Sequence, residues 1–287
     1  MSGVLIFIDG DGTNNWNWAS SQPWCQESGT LADPYIIENL VLNANGPNSC
    51  IIIRNSNVYF TIRNCTMFNA LYGGIELFNV ERCEIINNEI FNNTLGITLE
   101  NCEWSFILGK SIIYNQVGML VEQCGFTNIT ENQFLYGHSG INTTESGASI
   151  IFNNTIKYNV NAISQIASNY SSVYYNNIVN NTEGIYLDTT FDSQISQNIL
   201  ENTSHYGIFI RSCTKSLIFQ NEFISNLKNA HDEFGINNQW NYTDIGNFWS
   251  DYLGVDADDD GIRDIPYLIS GNTESYDYYP IWDDGPG

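Results

Sequence analysis

The chain is poor in positive charge. Of its 287 residues only nine are Lys or Arg, against 32 Asp and Glu, for a formal net charge of −23. That argues against nucleic acid and anionic membrane surfaces as partners, since both are gripped by clustered cations. It suits solubility, cation binding or a salty environment. No apolar run reaches the roughly 18 residues of a membrane-spanning helix, so no membrane insertion is expected. The opening MSGVLIFIDGDG is too short an apolar stretch for a secretory leader, and an exported protein would have lost its leader. His and Met number three each and are scattered, and no Cys-x-x-Cys or Cys/His metal spacing occurs, which disfavours a soft-metal site. Helical spacing is not sustained anywhere between residues 51 and 229.

What is present instead is a period. Gly74, Gly96, Gly118, Gly140, Ala162 and Gly184 follow one another at 22 residues, and Gly207 and Ala230 at 23. With the small residue as offset 0, offset 1 reads Ile75, Ile97, Met119, Ile141, Ile163, Ile185, Ile208. Offset 11 reads Ile85, Ile107, Ile129, Ile151, Val173, Ile195, Ile218, and offset 16 reads Ile90, Ile112, Phe134, Ile156, Ile178, Leu200, Phe223. Three short strands per coil, each aiming a bulky residue inward, define a solenoid. Offset 14 reads Asn88, Lys110, Asn132, Asn154, Asn176, Asn198, Asn221. Asparagine suits a turn, and stacked amides satisfy one another in a ladder. The small residue at offset 0 fits a corner that needs a positive φ or no Cβ. Ile51, Ile52 and Ile62 fall on offsets 0, 1 and 11 of an earlier coil, with Cys65 at its asparagine position. The expected fold is an all-β, right-handed parallel β-helix of about eight 22–23-residue coils. Residues 1–50 form an N-terminal cap with first strands, 51–229 the coils, and 230–287 an aromatic-rich C-terminal cap. A solenoid must cover both open ends.

Within the C-terminal segment lies Asp256-x-Asp258-Asp259-Asp260-Gly261-Ile262-Arg263-Asp264. Oxygens at positions 1, 3 and 5, a glycine at 6, a carbonyl at 7 and an acid at 9 follow a calcium-loop pattern. The expected Ca2+ ligands are Asp256, Asp258, Asp260, the carbonyl of Ile262, and Asp264; position 12 is Tyr267 and not Glu. The role would be structural. The shorter DGDGTN, with Asp9, Asp11 and Thr13, is a weaker second candidate.

The seven cysteines include Cys102, Cys124 and Cys213 at offset 6, a small inward position where buried thiols are the plain expectation. Cys25 and Cys50 lie outside the repeats and are the candidate disulfide of an exported protein. Nine Asn-x-Ser/Thr sequons begin at Asn64, Asn92, Asn128, Asn142, Asn153, Asn169, Asn180, Asn202 and Asn241, many arising from asparagine richness alone.

The phrase GTLADPYIIENLVL, the repeated GI-x-L…I-x-x-N-x-I-x-x-N coils and the closing GNFWSDY…DADDDGIRDIPY…YYPIW resemble the NosD-like and pectate-lyase-like superfamily, in its archaeal surface or secreted form. The resemblance covers nearly the whole chain. It implies the parallel β-helix and an extracellular or cell-surface setting. It leaves activity open, because the superfamily includes lyases, hydrolases, epimerases, copper-loading periplasmic proteins and non-catalytic surface modules.

Three outward rows carry the functional expectations. Offsets 2 and 4 supply Glu76, Glu100, Glu122 and Asp188, with Glu100 and Glu122 stacked on adjacent coils. Such a pair would bind calcium or serve as the two carboxylates of a glycosidase, but no Arg or Lys falls beside it on those rows, Arg211 being four coils away. Offset 18 stacks Tyr114, Tyr136 and Tyr158, either a platform for sugar rings or a stabilising aromatic ladder. Offset 12 is apolar for an outer row (Ile86, Leu108, Phe152, Tyr174, Phe219) and calls for a covering end segment or self-association with another copy. The function expected is a calcium-stabilised surface module, structural or glycan-binding. A polysaccharide lyase or glycoside hydrolase is the alternative. Copper handling is a third reading, disfavoured by the scarcity of His and Met.

Overall fold

The structure, a computed structural model, describes residues 6–109 and 111–282. Lys110, expected at a corner in place of asparagine, lies outside the described residues, as do the chain ends. The coils stack in register. On the first wall Ile75, Ile97, Met119, Ile141, Ile163, Ile185 and Ile208 are successive parallel Cα partners. The second wall stacks Ile85 through Ile218 and the third Ile90 through Phe223 in the same way. Every one of these side chains is at most 3 % exposed. Each buried aliphatic contributes about 1.5–3 kcal/mol relative to exposure, so the column is the core of the molecule.

The solenoid has about ten coils, not eight, and its third wall alone has ten strands. Ile6–Asp9 pairs in parallel with Ile51–Ser56, Tyr35–Glu38 with Phe60–Arg63, and Val41–Gly46 with Thr66–Ala70. At the far end Lys228–Glu233 and Phe248–Trp249 continue the first and third walls. The loops inserted in these outer coils break the 22-residue period and conceal them in the sequence. Two registers also shift by one residue. Ala230 pairs with Ile208, which puts Asn229 at the glycine position, and Ile51 pairs with Ile75. Strand alternation decides the second case: Ile51 and Ile53 are fully buried and Ile52 points outward.

The corners work differently from the simple turn expected. The ladder asparagines are buried and do not have positive φ; the residue before each one does, as at Asn87, Glu131, Asn153 and Tyr175. Asn154, Asn176, Asn198, Asn221 and Asn247 each accept on Oδ1 from the backbone N–H of the previous rung, at 2.9–3.1 Å. A second amide row at the next corner, Asn93, Asn115, Asn159 and Asn181, uses the same geometry. The third corner is lined by Cys102, Cys124, Ser146 and Ser168, whose sulfur or hydroxyl accepts from the rung before in the last three. The repeat glycines also have ordinary φ. Gly96 is required because a Cβ would lie 2.3 Å from the carbonyl oxygen of Gly118 and 2.8 Å from Ile112.

Aromatic rings close both ends. Trp16 stacks on Tyr35 at 4.8 Å and donates its indole N–H to Ser56 Oγ. Trp249 lies between Phe223 at 4.3 Å and Tyr267 at 4.0 Å. The expected bridge between Cys25 and Cys50 is not formed: both thiols are free and buried. Cys25 sits against the second wall opposite Ile37, while the Cys50 thiol faces the carbonyl oxygens of Leu42 and Phe68 on the third.

Candidate functional site

The richest chemistry lies on the outer face of the first wall, across residues 183–233. Strand alternation turns Tyr186, Phe209 and His231 outward on three successive coils, with Asp188, Arg211 and Glu233 in the neighbouring outward row. Tyr206 flanks them from the adjoining corner. The rings touch: Tyr186 and Phe209 at 5.4 Å, Tyr206 and Phe209 at 5.1 Å, Phe209 and His231 at 4.9 Å. Arg211 pairs with Asp188 and lies 5.8 Å over the Tyr186 ring; Lys228 Nζ donates to Tyr206 Oη at 3.1 Å.

The electrostatics favour holding over attack. Burial, then the hydrogen bond to Asp188, push the Tyr186 hydroxyl up to about 12, so it stays a donor. The Arg211 guanidinium holds Asp188 below the usual carboxylate range. Burial lowers His231, keeping the ring neutral near pH 7. Its tautomer follows from its neighbours. Ser270 Oγ gives its hydrogen to the carbonyl of Ala230 at 2.5 Å, so at 3.0 Å it accepts from His231 Nδ1–H, and Nε2 carries the lone pair. His205 Nδ1 is likewise bonded to Glu183. The sequence pattern singled out only Asp188 here. Aromatics recurring at offset 2 on consecutive coils were the available signal, obscured by the register shift at Ala230.

The other expected residues separate. Glu100 and Glu122 are direct Cα partners, as expected, in a row that continues with Phe78 and Thr144. Neither joins an ion pair among the described residues. Tyr114, Tyr136 and Tyr158 stack face to face at 5.0 Å with interplanar angles of 13° and 4°. Both faces of Tyr136 are therefore covered, and the row offers a sugar mainly edges and hydroxyls. The offset-12 stripe is only partly covered: Phe219 packs on Tyr242 of the end segment, Phe152 packs on Tyr174, and Leu108 remains exposed.

Asp256, Asp258 and Asp260 do converge, with ligand oxygens within 4.8 Å of one another. The charge of Asp260, first among several causes, raises the Asp258 carboxyl above its ordinary value. Asp264 is not one of that triad but adds its charge to Asp258 and accepts from the N–H of Ala257. Asp9 is engaged by Arg54 and Asn55 and staples the first coil to the second.

Parallel in-register stacking on three walls, with the likeness to the solved β-helices below, makes this a parallel β-helix of the right-handed type. The family described as "Periplasmic copper-binding protein (NosD)" matches residues 56–254, and the chain belongs to that family. The probable ABC transporter binding protein NosD of Pseudomonas aeruginosa is 39% identical over 54 residues, covering 19% of this chain and 13% of that protein's length. Among solved structures, the Azotobacter vinelandii mannuronan C-5 epimerase AlgE4 A-module superimposes with a TM-score of 0.50 at 11% identity, covering 86% of this chain and 87% of that one. The DFA-IIIase of Arthrobacter chlorophenolicus A6 in complex with GF2 superimposes at 0.51 with 10% identity, covering 70% and 69%. At such identities these two define the fold alone.

Proposed function

We propose that the chain is a saccharide-binding β-helix that works outside the cytoplasm, with its ligand lying on the outer face of the first wall between Tyr186 and His231. The observation that carries this is the set of contacting rings there, bordered by Arg211, Lys228 and the carboxylates of Glu183 and Asp188. A sugar presents an apolar C–H face to rings and hydroxyls to charged groups, and the wall supplies both. The family's periplasmic description and the carbohydrate ligands or names of the structural neighbours support the reading. A glycan array tests it: Phe209→Ala should weaken retention of the bound glycan about tenfold in a protein that circular dichroism shows to be folded. Equal retention by the variant would overturn it.

A second reading, a carbohydrate-active enzyme on the same face, is favoured by His231, whose fixed tautomer leaves Nε2 as a base. New ultraviolet absorbance or reducing ends from a polysaccharide, lost in His231→Gln, would establish it. We also propose Ca2+ as a structural ion held by Asp256, Asp258, Asp260 and the carbonyl of Ile262. Among the described residues this is the one group of three or more His, Cys, Asp or Glu side chains able to share an ion, and its all-oxygen donors suit a hard cation better than copper.

A further inference from the structure

A second concave surface lies on a different wall, near the N-terminal end. The loop around Leu31 and Pro34 overhangs the outer face of the second wall, pinned there by Tyr59 N–H donating to the carbonyl of Gly29 at 3.1 Å. Between them is a cavity of about 500 Å³ lined by Tyr59, Thr61, Arg82, Glu84, Trp104 and Phe106, among others. That volume falls in the range of about 300–1,000 Å³ typical of small-ligand sites.

The lining is two-sided in its chemistry. Trp104 stacks one face on Phe126, at 4.3 Å and 5°. Phe126 does not line the cavity, whereas Arg82, one coil before Trp104 in the same row, does. The cavity therefore meets the opposite face of the indole. Trp104 is held at φ +55°, a left-handed conformation that asparagine fills more readily, and the ring is 46 % exposed. Across from it, Thr61 Oγ1 donates to Glu84 Oε2 at 3.2 Å, fixing the carboxylate and leaving Oε1 with no hydrogen bond among the described residues. Arg82 is oriented by Glu81 and by the carbonyl of Asn57. One open ring face, a fixed acceptor and a fixed donor match the apolar face and hydroxyl rim of a pyranose. Arg82 is paired with Glu81, so Glu84 keeps its charge within the cavity; that carboxylate and the strongly acidic chain repel anions, which rules out an acidic sugar and leaves an uncharged one.

We infer that this groove is a separate binding site for a neutral saccharide, with one sugar ring stacked on Trp104 and its hydroxyls held by Arg82 and Glu84. It is independent of the first-wall site. The test is titration of the full chain with cellohexaose, mannohexaose and chitohexaose, with hexamannuronate as the charged control, read by indole fluorescence and calorimetry. At least one neutral hexaose should bind with a dissociation constant below about 1 mM. Trp104→Phe and Glu84→Gln should each weaken it about tenfold, while Phe209→Ala leaves it unchanged. Circular dichroism and melting of each variant confirm the fold. No binding of any neutral hexaose, binding retained in both groove variants, or binding lost in Phe209→Ala would overturn the site. The last result would assign the ligand to the first wall instead.

Discussion

At the scale of single residues, the fold depends on polar side chains buried in rows. Asn176 Nδ2 reaches the carbonyls of Ile151 and Tyr174 and Oδ1 of Asn198, while its own Oδ1 accepts from Asn154 N. Removing it orphans several buried groups at once, each worth about 1–3 kcal/mol. Asn176→Ala should therefore lower unfolding stability by about 2–4 kcal/mol in urea titration, and a loss under about 1 kcal/mol would show that the ladder bears little load. The thiols are a second case. Cys83 is fully buried and pushed up to about 12 by that burial, and the other six cysteines are buried as well. All seven should resist a thiol reagent in the native protein and react together on unfolding; fast reaction of any one would place it at the surface.

At the scale of the coil, the tyrosine row shows packing set against backbone preference. Tyr114, Tyr136 and Tyr158 all sit at φ between 55° and 61°, where Asn92, Asn180 and Asn202 sit in other coils. Asparagine relieves the backbone but loses ring contact, worth about 0.5–1.5 kcal/mol per pair. Tyr136→Asn should therefore change stability by no more than about 1 kcal/mol by denaturant titration and leave glycan retention on the array intact. Loss of retention would restore the row as a platform. The central coils were legible because one residue type returns at one offset, so inward rows, ladder and core could be read directly. The outer coils were not, because inserted loops remove the period while the pairing persists. The first-wall ring cluster was hidden for a related reason. Outward residues are not constrained to repeat, so Tyr186, Phe209 and His231 share a row without sharing a type.

At the scale of the whole molecule, the C-terminal end is locked by a buried acid. Asp277 accepts from the backbone and amide of Asn247, the indole of Trp249 and the N–H of Tyr279, which terminates the asparagine ladder. Burial nevertheless pushes its carboxyl up to about 6. The native state then binds this proton more tightly than the unfolded chain. Its contribution is full below the ordinary value of 3.8 and is lost as pH rises through about 6. Wild type should thus lose more stability than Asp277→Asn between about pH 4 and about pH 6, and parallel profiles would contradict this. The same end carries the aspartate loop, where chelation by EGTA should lower the melting temperature; no shift would dismiss Ca2+ as a structural ion. The account as a whole rests on the first wall as a saccharide surface. The most direct measurement is a crystal structure with the array-selected oligosaccharide bound. The expected result is a sugar ring against Phe209 and Tyr186, with hydroxyls within hydrogen-bond distance of Arg211 or Lys228. A first wall left bare at saturating ligand would contradict it.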